Sequence, residues 1–234
     1  MKETIDNFLE IENFMTFKEG SFYKFELLAR NTDSDTNAVL LDPYTDGKPK
    51  TFNIKEWYVD SLEYYHKVKH EMKGLAELTG TRLYMVLDRK DKRKLGINAM
   101  RSLIDITYEF PENSRKVFKV IDSESSKKEA SEHDLRTVMW DVDIKENIVV
   151  EALDDYITSK GLKSYIIESK KGFHVFCYKK FNALNWEQDV VETYRKLHKE
   201  AAMPDLMSLT HLIHDFATLK DNAMCLVYQT YEIE

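Results

Sequence analysis

The sequence predicts an α+β fold in two halves, and three observations predict it. Some stretches repeat apolar residues at the helical spacing of three and four, while others alternate them at the strand spacing of two. The two kinds of stretch are interspersed along the chain. A polar, Ser-rich run from Asp122 to His133 (DSESSKKEASEH) separates them into an earlier and a later set. The expected division is residues 1–130, an N-terminal α/β subdomain, and residues 131–234, a C-terminal subdomain. The two are expected to interlock as one compact domain.

In the first half, Phe22 to Ala29 (FYKFELLA) reads as a strand. Asn31 to Asn37 (NTDSDTN) is turn chemistry, Val39 to Leu41 reads as a returning strand, and Asp46-Gly47 is a further turn signal. From Lys55 to Leu78 the residues Leu62, Tyr65, Val68, Met72 and Leu75 recur at helical spacing, and Gly80 stops the helix. Arg82 to Leu87 (RLYMVL) is a strand that runs into a basic cluster, and Leu95 to Tyr108 reads as a second helix.

In the second half, Thr137 to Ile144 (TVMWDVDI) is a strand and Ile148 to Ser159 a helix ended by Gly161. Ser164 to Glu168 and Phe173 to Tyr178 are strands joined by Ser169-Lys170-Lys171-Gly172, a connection of hairpin length. Asn185 with Gln188 predicts a capping box for a helix reaching about Ala201. Asp205 to Phe216 is helical, and Cys225 to Tyr231 closes with a strand. The order strand–helix–strand–strand–helix–strand predicts a split βαβ module, the ferredoxin-like or RRM-like topology.

Composition narrows the function. The chain has 234 residues, 43% hydrophobic and 32% charged, which is the balance of a folded protein rather than a disordered one. Its two cysteines, Cys177 and Cys225, form no CxxC pair and are expected as reduced core thiols. No apolar run approaches the length that crosses a bilayer, and the acidic start MKETIDNFLEIENF does not read as a secretion signal. A cytoplasmic location is expected, that of a microbe or of a phage-infected host. A net charge of −7 argues against a passive nucleic-acid coat. It is compatible with an enzyme whose acidic metal site offsets a local basic track. One such track exists, Arg89, Lys90, Lys92, Arg93 and Lys94, although a solvated loop has the same composition.

Three constellations carry chemistry. In Trp140-Asp141-Val142-Asp143, strand alternation sends both aspartates to one face. At about 6.6 Å apart and an effective dielectric of about 20, they repel by roughly 2.5 kcal/mol, which a divalent cation would relieve. Hard oxygen ligands suit magnesium or manganese. Two solvated loop carboxylates would give the same string, and a DxD also serves metal-dependent glycosyltransferases. In Glu168-Ser169-Lys170-Lys171-Gly172-Phe173-His174, a tight turn gathers a hydroxyl, backbone amides, two cations and an imidazole, a set suited to a triphosphate. In Leu219-Lys220-Asp221-Asn222, Asp221 is a candidate third carboxylate, although an ordinary Asp-Asn turn reads the same way. His211 and His214, followed by Asp215, are a weaker candidate zinc pair. No GxxxxGK[ST] loop, GxGxxG, GxSxG or HExxH is present.

Taken in order, VMWDVD, SKKGFH and TLKDNAMCLVY resemble the archaeo-eukaryotic primase superfamily, in particular the primase-polymerases of phages and plasmids. FELLARNTDSD and RLYMVLDRKDKRK extend the resemblance upstream, over about residues 20–234. The resemblance implies template-directed nucleotidyl transfer with two Mg2+ or Mn2+ ions. Asp141, Asp143 and Asp221 would hold the metals. Ser169, Lys170, Lys171, His174 and Arg82 would contact the incoming NTP or dNTP, and the run from Arg89 to Lys94 would contact a single-stranded DNA template. No helicase motif is legible, so a separate helicase is an implied partner; no zinc-binding module is legible either, a departure from the many primases that use one when starting a chain. The alternatives are an inactive primase-like protein that binds single strands or a replisome partner, and a DxD glycosyltransferase.

Overall fold

The computed structural model describes residues 2–30, 52–109, 116–132, 135–178, 184–200 and 203–232. The expected turn Asn31–Asn37, strand Val39–Leu41 and turn Asp46-Gly47 lie outside the described residues. The chain is α+β, as its periodicities predict, and its sheets are antiparallel. It divides into two units, Met1–Arg136 with Val227–Glu234, and Thr137–Leu226. The division falls just after the Ser-rich run, but the first unit also takes back the C-terminal residues.

The first unit is built on one sheet. Its strands are β1 (Lys2–Asp6), β2 (Ser21–Ala29), β3 (Phe52–Val59), β4 (Arg82–Val86), β5 (Lys90–Asp91) and the later part of β10 (Met224–Glu232). The order is β1-β10-β4-β2-β3, with β5 pairing the start of β2 through Ser21↔Asp91 and Phe22↔Lys90. All nine residues of β2 are buried, because both of its faces are covered. On one face Tyr23 meets Phe14 of α1 (Phe8–Phe14), and Phe25 meets Tyr65 of α2 (Leu62–Thr79), with ring centroids 6.1 and 5.8 Å apart. On the other, Phe22 packs with Leu95 of α3 (Lys92–Ile104) and with Ala130.

Helix α2 starts later than its periodicity suggests. The expected helix ran from Lys55, but Lys55–Val59 belongs to β3, which pairs with β2 through Lys55↔Leu27 to Val59↔Tyr23. The Ser61 hydroxyl accepts from the Tyr64 amide at 3.2 Å and caps the helix there. Gly80, at φ 62°, ends it in the left-handed conformation that a side chain disfavours. Residues 122–132 of the Ser-rich run take in the end of α4 (Val120–Ser125) and a 3-10 turn, Lys128–Ala130, so they are part of the fold of the first unit.

The second unit is a four-stranded antiparallel sheet of β6 (Thr137–Val142), β7 (Tyr165–Glu168), β8 (Phe173–Tyr178) and β9 (Ala217–Asp221) in the order β7-β8-β6-β9. Helices α5 (Asn147–Ser159), α6 (Trp186–Leu197) and α7 (Met203–Phe216) cover one face. Val138, Trp140 and Val142 point into that core, where the Trp140 ring meets Tyr156 and Trp186 edge-on. Strand β9 was not foreseen. The strand expected at Cys225–Tyr231 exists as part of β10, but its later residues join the sheet of the first unit, and β9 takes the place beside β6. Asn185 makes no side-chain cap to α6, so the expected capping box is absent. Neither cysteine is in a disulfide, both are buried, and burial pushes the Cys177 thiol up to about 12. Among the described residues, no helix is long and apolar enough to cross a membrane.

Candidate functional site

The site grows from the end of β6. Asp141 lies opposite His174 of β8 and Thr218 of β9, so all three project from the sheet face that the helices leave uncovered. The pairing continues one residue past the strand, where the Asp143 amide donates to the Phe216 carbonyl at 2.8 Å. Alternation therefore keeps Asp143 on the same side as Asp141. Asp143 is exposed, whereas Asp141 is half-buried.

His174 is 7% exposed, and both ring nitrogens are engaged. Nε2 lies 3.4 Å from Asp141 Oδ1, and Nδ1 accepts from the Leu226 amide at 3.3 Å. These two contacts fit the tautomer with its proton on Nε2. The imidazole thus turns inward to orient the carboxylate, rather than outward to a triphosphate as the sequence suggests. On the other side of Asp141, Lys220 of β9 forms an ion pair with Oδ2. Burial alone pushes the Asp141 carboxyl up, but the hydrogen bonds from His174 and Lys220 outweigh it and hold the carboxyl well below the usual range.

The turn between β7 and β8 is pressed against this strand end. Ser169 closes the turn twice, its amide donating to the Gly172 carbonyl at 2.9 Å and its hydroxyl accepting from the Gly172 amide at 3.1 Å. A Cβ on Gly172 would lie 2.0 Å from the Val142 carbonyl oxygen and 2.7 Å from the Ile144 amide nitrogen. Only glycine lets the SKKG turn approach the backbone that carries Asp143 so closely. Lys170 and Lys171 are exposed in the same turn. The first two motifs, separate in sequence, therefore meet in space.

The third does not join them. Asp221 pairs with Val138, three residues from Asp141 and of the opposite alternation, so it projects to the other side of the sheet at about 10 Å along the strand. Lys220 is the residue of that segment that reaches Asp141. Its signal was the alternation itself, because Leu219 feeds the core and its neighbour must then face away. Among the described residues, no three His, Cys, Asp or Glu side chains gather as a metal set. His211 and His214 are exposed on α7, with His214 Nδ1 3.3 Å from Glu187.

The basic run belongs to the first unit and works mostly inside it. Arg89, 4% exposed, donates to Glu132 at 3.0 and 2.5 Å and to the Thr16 carbonyl at 2.6 Å. Lys90, 0% exposed, donates to the Lys127 carbonyl at 3.0 Å and the Ser131 hydroxyl at 2.9 Å. Lys94 donates to the Ser131 carbonyl at 3.0 Å, and Lys92 pairs with Asp60 at 2.7 Å. Only Arg93 and Lys92 of the run are exposed. The expectation that Arg89 and Lys90 meet a template is corrected, since their charges are spent on carbonyls and a carboxylate within the fold. Arg82, half-buried at the start of β4, lies 3.4 Å from the Tyr84 hydroxyl, also in the first unit.

No family matches the chain, and neither a characterised protein nor a solved structure is significantly similar to it. The chemistry of the site therefore has to be argued from its own residues. Those residues form a carboxylate held ionised between an imidazole and an ammonium group, beside a second carboxylate and a glycine-tight turn bearing two lysines.

Proposed function

We propose that the chain is a template-directed nucleotidyltransferase of the primase-polymerase type, with residues 137–226 as an RRM-like, split βαβ catalytic module. The observation that carries this reading is the contact of Gly172 with the Val142–Ile144 backbone, which brings the DxD strand end and the SKKGxH turn into one site. The strand order β7-β8-β6-β9 supports the topology, because α5 links β6 to β7 across β8, and α6 with α7 links β8 to β9 across β6.

The residues fit a magnesium or manganese ion held by few protein ligands. Asp141 and Asp143 share one side of a strand end, and magnesium commonly uses one or two carboxylates, completing its shell with water and substrate phosphates. Once bound, such an ion would neutralise phosphate charge and lower the pKa of the attacking 3′ hydroxyl. The chain's own groups do the rest. His174 orients Asp141 from one side. Lys220 balances the carboxylate charge in the free protein and lies within reach of an anion arriving beside it. Lys170 and Lys171 present cations at the rim for a triphosphate. The proposed partners are NTP or dNTP, a single-stranded DNA template and a separate helicase.

A second reading has its own support. Asp221 projects away from Asp141, and Lys220 already neutralises it, an arrangement that suits a primase-like binding module without activity. One experiment separates the two. Wild type and Asp141→Ala are incubated with single-stranded DNA, labelled nucleotides and magnesium or manganese, with and without an annealed primer. Metal-dependent products that vanish in the variant are expected. A folded wild type that binds nucleotide but makes no product in either metal would leave the binding module.

A further inference from the structure

Helix α3 has two apolar sides, and the described residues pack against one. Leu95 and Ala99 are buried, with Leu95 packing against Phe22 and Ala130. At about 100° per residue, Ile97, Met100 and Ile104 fall within roughly 60° of one another on the opposite side. They are 38%, 59% and 57% exposed, and Tyr108 continues the line in the π turn Asp105–Glu109 at 81%. The spacing i, i+3, i+7 is that of a helix-packing seam. Arg93 and Arg101, both exposed, lie on or beside this seam. The helix carries four basic residues and no acidic one, in a chain of net charge −7.

We infer that this face of α3 is a docking surface for an acidic amphipathic helix of a partner protein. Charge selects the occupant. A second copy meeting the same face would set Arg93 and Arg101 against their own kind, so self-association is disfavoured. A nucleic-acid strand would match the charge, but single strands bind through stacking on aromatic rings along a groove. This surface is a convex helix presenting aliphatic side chains at three of its four apolar positions. An apolar stripe flanked by carboxylates answers both the seam and its rim. The inference stands apart from the proposed activity, since none of these residues lies in the second unit.

The test uses the whole protein and a fluorescein-labelled synthetic peptide of about 18 residues, long enough to span α3 and its π turn. The peptide is helical, with leucines at i, i+3 and i+7 and glutamates on the flanks. A twin carries lysines in place of glutamates, and oligo(dT) serves as the nucleic-acid probe. Saturable anisotropy with the acidic peptide and none with its twin is expected. Met100→Asp and Ile104→Asp should each weaken binding by about tenfold or more. Arg101→Glu should weaken the acidic peptide and favour the twin, and both classes of variant should keep the wild-type Tm because the positions are exposed. No saturable binding, or binding that these substitutions leave unchanged, overturns the proposal. So does oligo(dT) binding that Met100→Asp abolishes, which would make the surface a nucleic-acid site. Concentration-dependent dimerisation lost in Met100→Asp would assign the face to a second copy and overturn it equally.

Discussion

Single residues decide how the site is assembled. Gly172 is the sharpest case, because its missing side chain is where the Val142 carbonyl lies. Gly172→Ala forces backbone apart, and the expected cost is about 3 kcal/mol, at the upper end for overpacking. Chemical denaturation should show a lower midpoint, and near-neighbour amides of residues 142–144 should shift in NMR spectra. A variant as stable as wild type would mean that the turn and the strand end are not in contact. Asp141 makes a second prediction. Its folded carboxyl sits below the ordinary value of 3.8, so its ion pairs contribute stability that is present above that pH and is lost as pH falls below it. Asp141→Asn should therefore lose less stability than wild type between about pH 4 and pH 2. That Asp141 and Asp143 share a face was legible in the sequence, since alternation alone dictates it. That Lys220 rather than Asp221 reaches Asp141 was legible only in part: alternation turns Lys220 away from the core that Leu219 feeds, but which strand its face meets depends on cross-strand register, which no single segment contains.

At the scale of elements, the basic run and the Ser-rich run explain each other. Lys24, Arg89, Lys90 and Lys94 all donate into residues 122–132. Lys24 reaches the Asp122 carbonyl at 3.1 Å and the Ser126 hydroxyl at 2.8 Å, and the other three reach Lys127, Ser131 and Glu132. Read separately, one run suggests a template track and the other a divide between two sets of elements. Together they are a clamp that seals one face of the sheet. The misreading has a physical source, since charge density is local in sequence while its partners are not. The helix expected from Lys55 failed for a related reason, because Lys55–Val59 carries aromatic and β-branched residues that pair with β2 before Ser61 starts the helix. The clamp should leave a pH signature. Burial pulls the Lys90 ammonium down to about 8 from an ordinary 10.5, against the pull of Asp88. Between those values the unfolded chain binds more protons than the folded one, so this group makes stability rise with pH across that window. Urea unfolding of wild type and Lys90→Met at about pH 7.5, 9 and 10.5 should show a rise that the variant lacks. Parallel curves would contradict a Lys90 whose burial makes it give up its proton earlier in the folded chain.

Over the whole molecule, the two sets of residues that the sequence predicts as successive halves are nested instead. The α+β class and most helices of the second unit could be read from periodicity, because their buried faces repeat locally. The membership of β10 could not. It is a run of apolar and aromatic residues that suits either sheet, and only pairing assigns Val227 onward to the first. Strand β10 lies between β1 and β4, and pairs residue by residue with β1 from Asp6↔Tyr228 to Lys2↔Glu232. Removing residues 227–234 should therefore unfold the first unit, although the cut is made beyond the second. Amide exchange in β1 and β4 is expected to lose its protection, and a truncated chain with both strands still protected would refute the strand order. The same threading sets a schedule during synthesis. Strand β4 is made early but must wait, with one hydrogen-bonding edge open, until all of residues 137–226 have been translated and β10 emerges to fill the gap. An open edge of this kind pairs readily with any extended chain nearby. The first unit to begin folding is thus the last to be closed, and the interval in which the nascent chain is vulnerable to aggregation is set by the length of the unit inserted within it.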